Sequence, residues 1–517
     1  MKMILTADET LTTTYRDLPL ADFLGCAPPQ RIPPILYRVI DTQVPHKNGR
    51  LTFAPYSLRK IEAALLKSYK DVVVAHPRHI KKFIKGDTRI VAVTAMDPLG
   101  LGPVTMIFTD GGRLSSYTKI KFAFLIKKIN EYREAKGLDF KIVVGGPGAW
   151  QLEAKEDEME KLGIDHLIIG ETEHQIIKMF MEIEDGSADR IIHAKGWPSV
   201  DEIPTIVNPS YKGMIEVMRG CGRGCKFCDP NIRKARFYPL EKIINEVEVN
   251  RRVGQRSAWL HSEDIFNYMI EDKRYYRPNE DAVINLFEEV LKRVDYANPT
   301  HGNVSGALAA PRILEKVAEL NDANIHRWVG IQVGLETASP ALMEKIGNNK
   351  VKPFDASEWP WVLLNGTYAF NKYFWFPAYT SIVGLPGETE EDEIDTARLI
   401  ITMREKLMEE LGEKAHFIVV PLSFVPMGLF KEEEFFDVEQ QLTQGRLLHI
   451  YHAWRQILWE LEHGFKIVKP GIVSSLFSPL IKLGLKFLLR SIEKWAAKNG
   501  VDVKKPLEPM NIKIERF

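Results

Sequence analysis

Three of the four cysteines in this 517-residue chain fall within eight positions, in the stretch Arg219-Gly220-Cys221-Gly222-Arg223-Gly224-Cys225-Lys226-Phe227-Cys228. Soft thiolates at close spacing select zinc, copper(I) or an iron–sulfur cluster. A closed zinc site takes four ligands, usually in two pairs, and no matching second pair follows nearby. Three thiolates suit a cubane [4Fe–4S] cluster with one iron left open, where the amino and carboxylate groups of a methionine moiety can chelate. The glycines at 220, 222 and 224 permit positive φ, so the loop can wrap a cluster closely and aim amides at its sulfurs. Phe227 would shield the cluster from water. Zinc and a simple electron-transfer cluster stay open as alternatives at this point. Cys26 stands alone and reads as a small apolar residue.

Further acceptors follow downstream. Glu263 and Asp264, in WLHSEDIF, are suited to an ammonium group. Glu336 lies in VGLETAS, and Ile382 and Gly384 lie in SIVGLPGETEED. The cysteine spacing and the order of these later segments resemble the radical S-adenosylmethionine superfamily, whose loop is CxxxCxΦC with an aromatic Φ. The resemblance implies a cluster on Cys221, Cys225 and Cys228 that reductively cleaves S-adenosylmethionine. It implies that Glu263 and Asp264 meet the methionine amino group, although the familiar GGE form is absent. It also places Glu336 on ribose or amino donors, and the backbone of Ile382 and Gly384 near adenine.

These residues need elements to hold them. Residues 1–34 read as an irregular lead-in with prolines at 28, 29, 33 and 34. From 35 to 195, short apolar runs alternate with amphipathic stretches: ILYRVID, DVVVA, RIVAVTA, KIVVGG and HLIIG as strands, LRKIEAALLKS and IKFAFLIKKINEYREAK as helices. Alternation of this kind predicts a parallel, doubly wound sheet. Residues 196–212, with prolines at 198, 204 and 209, read as a linker. A second alternating series over 213–430 supplies about six βα units, suited to an open (β/α)6 barrel. Residues 431–517 read as a helical region, in which WRQILWELEHGF has core spacing.

The upstream sheet carries a second resemblance. VVVGGPGAW and IDHLIIGETE look like late strand ends of the cobalamin-binding domain fused to many radical S-adenosylmethionine enzymes. That likeness implies that Gly145, Gly146, Gly148, Gly170 and Glu171 cradle the nucleotide tail, since ligands of such sheets sit beyond the strand carboxyl ends. A generic nucleotide-binding sheet is the alternative, weakened by the lack of a GxGxxG turn. The DxHxxG signature of a lower cobalt ligand survives only as Val44-Pro45-His46-Lys47-Asn48-Gly49. Val44 replaces the Asp that would orient the imidazole. His46 is nonetheless a candidate ligand, beside Asp97 and Leu99 of the MDPLGLGP loop, which would pack under the corrin.

Composition fits these expectations. Lys plus Arg and Asp plus Glu balance at 69 each, which gives no reason to expect nucleic acid or an anionic membrane as partner. The amino terminus lacks a signal-peptide core, and the most apolar stretch, 472–489, is interrupted by Lys482 and Lys486. A cytoplasmic protein is expected. If both resemblances hold, a radical formed from S-adenosylmethionine abstracts hydrogen from an unactivated carbon, and methylcobalamin methylates it. No general base is needed at an sp3 carbon, and no compelling Ser/His/Asp set is visible. Overall likeness is to archaeal proteins with the MDPLGLGP-type loop, including those that C-methylate a glutamine of methyl-coenzyme M reductase. A peptide or protein substrate and a ferredoxin- or flavodoxin-type reductant follow as expected partners. Cyclisation or rearrangement without methyl transfer, and a non-catalytic metal-binding or redox role, are the alternatives.

Overall fold

A computed structural model describes residues 3–17, 21–438, 440–463 and 472–516. The chain divides into two compact units. Residues 1–215 with 241–255 form the first, and residues 216–240 with 256–517 form the second.

The first unit is built on six parallel strands: β1 (Met3–Ala7), β2 (Val72–Val74), β3 (Ile90–Thr94), β4 (Lys141–Gly145), β5 (His166–Ile169) and β6 (Ile191–His193). Their order is β2-β1-β3-β4-β5-β6, a doubly wound sheet with its switch point between β1 and β3. Alternate residues feed two cores. Ile4, Val91, Val93, Ile142, Val144 and Leu167 pack on one face, while Met3, Leu5, Ile90, Val143 and Ile168 pack on the other. Burial on both faces explains why these strands read as continuous apolar runs.

Three expectations for this unit need correction. The lead-in over 1–34 contains β1, which lies between β2 and β3 in the sheet. ILYRVID is part of the helix Pro34–Ile40 rather than a strand. Tyr37 and Ile40 are buried three residues apart, whereas Ile35 and Val39 are exposed, so the period is helical. Pro34 at the start of that helix supplies a preset φ. The segment 196–212 is no free tether. Ile203, Ile206 and Ser210 are buried. Pro204 O accepts from Lys60 Nζ at 2.8 Å, and that ammonium also meets Glu246 Oε1 at 2.5 Å.

In the second unit, β7 (Ser257–His261) pairs in parallel with β8 (Tyr296–Pro299). One residue later β9 (His301–Gly302) begins a second sheet with β10 (Val329–Glu336), β11 (Trp375–Val383) and β12 (Ile418–Ser423), again parallel. Helices Glu280–Leu291, Pro311–Leu320, Pro340–Val351 and Glu390–Leu411 fall between successive strands, giving the expected partial barrel. Thr389 and Asp392 cap the last of these helices reciprocally.

The C-terminal helices Gln444–His463 and Ile472–Lys498 belong to this same unit. Trp454, Ile457 and Leu461 are buried, so the described part of WRQILWELEHGF is core; its last two residues lie outside the described ones. Among the described residues, no helix is long and apolar enough to cross a membrane.

Candidate active site around the cysteine loop

The cysteine loop follows the short strand Met218–Arg219. Arg219 Nε bonds Glu216 Oε1 at 2.8 Å, and Tyr238 hydroxyl donates to Glu216 Oε2 at 2.6 Å, which fixes the entry. Gly220, Gly222 and Gly224 have φ of 77°, 76° and 76°, a left-handed alternation that side-chain-bearing residues resist. Cys221 and Cys225 are buried, while Cys228 and Phe227 are half-buried. Burial pushes the thiols of Cys221 and Cys225 upward. Gly428, beyond β12, approaches so closely that a Cβ there would lie 2.5 Å from Lys226 O. Among the described residues no three His, Cys, Asp or Glu side chains converge on a single-ion site. In a cubane each thiolate binds a separate iron.

Arg223, inside the loop, is the clamp that sequence reasoning missed. Its Nε meets Asp264 Oδ2 at 3.0 Å, one terminal nitrogen donates to Asn267 Oδ1 at 3.1 Å, and the other to Asn349 O at 2.8 Å. Tyr276 lies under the guanidinium, 4.6 Å from ring centroid to Cζ. Asp264 is therefore committed: its other oxygen accepts from the amides of Phe266 and Asn303. The two acidic neighbours have different roles. Glu263, in the loop after β7, keeps a buried Oε2 without a hydrogen-bond partner. Burial raises its pKa, and the Gly220 amide works against that shift. An orphaned carboxylate oxygen beside the cysteine loop fits an ammonium donor.

Glu336 ends β10 at a bulge, with φ of 62°. Its Oε1 is 3.0 Å from Lys350 Nζ; the Glu336 side chain is buried and that of Lys350 nearly so. Ile382 is paired with Leu422 along β11 and β12. The Gly384 amide donates to Glu388 Oε2 at 2.9 Å, and the ring of Phe436 covers the glycine.

Behind this turn the structure assembles a Ser/His/Glu set that the sequence did not reveal. His449 Nε2 lies 2.6 Å from Ser381 Oγ, and its Nδ1 faces Glu393 Oε2. All three side chains are buried, so the set braces β11 against helix Gln444–His463 and presents no accessible nucleophile.

This brace makes a pH prediction. Glu388 is pushed up to about 10 by burial and by the charge of Glu393. Glu393 is raised by burial to about 7, and burial holds His449 down to about 4. Carboxyls with raised pKa contribute stability that is full below their ordinary value and lost as pH rises through the folded value. His449 has the opposite sign, losing stability only as pH falls below its ordinary range. Above about pH 7 the contribution of Glu393 is spent, so between about pH 7 and 10 Glu388 acts alone among these groups. The urea midpoint of Glu388→Gln should fall less over that range than that of the wild type. Parallel pH curves would contradict this.

In the first unit, the predicted residues occupy strand carboxyl ends but are held differently from expectation. Asp97 does not face open space. Its oxygens accept from the Gly102 amide, Thr105 and Thr118 hydroxyls, and Gln151 Nε2, folding the MDPLGLGP loop onto itself. Leu99 is buried, and its amide donates to Gln151 Oε1 at 2.9 Å. Gly146 and Gly148 permit contact between two loops: a Cβ on Gly148 would lie 2.2 Å from Met96 O. Gly145 closes β4, while Gly170 and Glu171 follow β5. His46 follows no first strand. It sits in the hairpin His46–Lys47/Arg50–Leu51, with its ring 5.0 Å from His76 and 4.3 Å from His79. His76 follows edge strand β2, two places across the sheet from the β3 end that carries Asp97. His46 and Asp97 are thus not brought together. Burial lifts the Cys26 thiol to about 12, in keeping with an inert residue.

Residues 215–400, the segment that holds this loop, match the Radical SAM superfamily model. The uncharacterized protein MK0932 of Methanopyrus kandleri is 25% identical over 407 residues, which is 67% of this chain and 72% of that protein. A tRNA-2-methylthio-N(6)-dimethylallyladenosine synthase of Fusobacterium nucleatum is 24% identical over 274 residues, 50% of this chain and 57% of the synthase. Among solved structures, the radical S-adenosylmethionine methyltransferase TsrM from Kitasatospora setae, with cobalamin and a [4Fe–4S] cluster bound, matches with a TM-score of 0.52. That match has 13% identity and covers 83% of this chain and 77% of TsrM. At that identity the likeness is one of fold.

Proposed function

We propose that this chain is a cobalamin-dependent radical S-adenosylmethionine methyltransferase that methylates an unactivated sp3 carbon. The observation that carries the reading is the buried cysteine loop, clamped by Arg223 and set beside the unpartnered oxygen of Glu263, within a radical SAM domain. The doubly wound unit upstream and its glycine-lined strand ends support cobalamin as the second cofactor. When bound, the cluster supplies the electron that cleaves S-adenosylmethionine, and cobalamin supplies a transferable methyl group. The protein's share is positional. Three thiolates hold the cluster, Glu263 receives the amino group, and Asp264 keeps Arg223 and the loop in place. Gly146, Gly148 and Gly170 line the expected cobalamin loops.

The substrate we favour is a glutamine of methyl-coenzyme M reductase, on overall resemblance to archaeal proteins with the MDPLGLGP-type loop and without a substrate motif, with a ferredoxin or flavodoxin as cytoplasmic reductant. The experiment is anaerobic turnover of the reconstituted enzyme, loaded with cobalamin, on a peptide containing that glutamine. Expected products are 5′-deoxyadenosine, S-adenosylhomocysteine and a singly methylated peptide. Deoxyadenosine without S-adenosylhomocysteine would contradict methyl transfer and favour cyclisation or rearrangement. An unmodified peptide under conditions that form both nucleosides would exclude this substrate alone. Absence of corrin absorption after purification with cobalamin would return the upstream unit to a generic nucleotide-binding sheet.

A further inference from the structure

The strands of the partial barrel bury one face and leave the other open. Along β7, β10 and β11 exposure alternates with the period of a strand. Trp259 and His261, Gly330 and Gln332, and Phe376 and Ala378 are half-buried or exposed, while the residues between them are buried. Three polar side chains form one row on the open face. His301 of β9 is the register partner of Gln332 on β10, which is in turn the partner of Ala378 on β11. The ring of His261, at the end of β7, has its centroid 6.1 Å from that of His301.

Gln332 is exposed, and its neighbours on the same strand face are Gly330 and Gly334. Glycine inside a strand marks a place where a ligand or another chain segment comes close. The Glu336–Lys350 pair takes the space over Gly334, where a Cβ would lie 1.9 Å from Glu336 Oε1. Over Gly330 the nearest atom to a Cβ would be Asn298 Oδ1 at 3.6 Å, so the face has room on that side.

Thr300 orients both imidazoles. Its hydroxyl lies 3.0 Å from His301 Nδ1 and 3.3 Å from His261 Nδ1, which leaves each Nε2 on the far side of its ring. One hydroxyl carries one proton and cannot donate to both rings. At least one imidazole therefore donates from Nδ1 and keeps Nε2 as an acceptor. Burial holds His301 down to about 4, so this ring is neutral near pH 7. Gln332 adds both a donor and an acceptor. The row also adjoins the cysteine loop: His261 O accepts at 2.9 Å from the amide of Val217, which directly precedes the strand Met218–Arg219.

Resting on the methyl-transfer reading above, we propose that His261, His301 and Gln332 form the substrate subsite and receive a neutral side chain that ends in a carboxamide. The carboxamide N–H groups meet imidazole Nε2, and its oxygen accepts from the Gln332 amide, so both ends of the group are satisfied. A carboxylate brings acceptors to acceptors, two residues from the acid Glu263. An alkyl chain leaves the polar row without partners.

The test uses the reconstituted full chain and three fluorescein-labelled peptides that differ at one residue. They are the glutamine peptide of the turnover experiment and its glutamate and norleucine analogues, with dissociation constants read by fluorescence anisotropy. Wild type should bind the glutamine peptide at least about tenfold more tightly than either analogue. In Gln332→Met and in His301→Leu that preference should fall to about twofold or less. Binding of the norleucine peptide, which needs no hydrogen bond, should stay as in wild type and report that the face is intact. Equal affinity of wild type for all three peptides, or a preference that survives in both variants, would overturn the inference. Methyl transfer would still stand, because the nucleoside products decide it. No binding of any peptide would also overturn the subsite. Full preference without 5′-deoxyadenosine and S-adenosylhomocysteine would contradict methyl transfer and leave the subsite standing.

Discussion

Arg223→Met is expected to lower the unfolding free energy of the second unit by about 3–5 kcal/mol, the usual cost of breaking one half of a buried ion pair. The guanidinium is spent on four kinds of contact: the Asp264 carboxylate, the Asn267 amide oxygen, the Asn349 carbonyl and the face of Tyr276. Methionine matches the volume and keeps some apolar packing, so the loss reports the charge and its hydrogen bonds. Asp264 is 1% exposed and would be left with a buried carboxylate supported by two amides. Adding Asp264→Asn should recover part of the loss, since an amide costs less to leave unpaired than a charge. The measurement is urea unfolding followed by near-UV circular dichroism. A loss under about 1 kcal/mol would mean that the loop is held by its backbone contacts alone.

Cys225→Ser is expected to abolish cluster assembly and with it S-adenosylmethionine cleavage, a fall of at least about 10³-fold in 5′-deoxyadenosine formation. Cys225 is 2% exposed and sits where the helix breaks at Gly347, so no other described cysteine is placed to substitute for it. Serine is nearly isosteric, which separates ligand chemistry from packing. Cys26→Ser is the control: that thiol lies in the other unit, beside Thr105, and its loss should leave iron content unchanged. Iron analysis and the visible spectrum after anaerobic reconstitution decide the matter. Wild-type iron in Cys225→Ser would remove this residue from the ligand set.

Local features of this site were legible in the chain. The spacing of Cys221, Cys225 and Cys228 and the alternation of glycines around them need only neighbouring residues, and the backbone takes the left-handed course those glycines allow. The alternating runs also mark the parallel sheets, because strands buried on both faces are short and uniformly apolar. What sequence could not show were partnerships set by tertiary packing. Nothing near Glu263 and Asp264 says which one Arg223 takes, since that contact spans 41 positions. Ser381, His449 and Glu393 meet only after helix Gln444–His463 packs on the barrel. The partners of Asp97 were hidden because two come from the turn of its own loop, Gly102 and Thr105, and two from farther along, Thr118 and Gln151. Strand β1, as long as β3 and β4, was hidden by the irregular, proline-rich segment behind it. Helix Pro34–Ile40 was hidden because seven residues give too few turns for its period to show.

The central claim is that Cys221, Cys225 and Cys228 carry a cluster that cleaves S-adenosylmethionine. Its most direct measurement is the amount of 5′-deoxyadenosine formed when the anaerobically reconstituted chain is given S-adenosylmethionine and a strong reductant. The account predicts 5′-deoxyadenosine and methionine in equal amounts with wild type, and none above background with Cys225→Ser. Fully iron-loaded wild type that forms no 5′-deoxyadenosine, or a serine variant that forms as much as wild type, would contradict it.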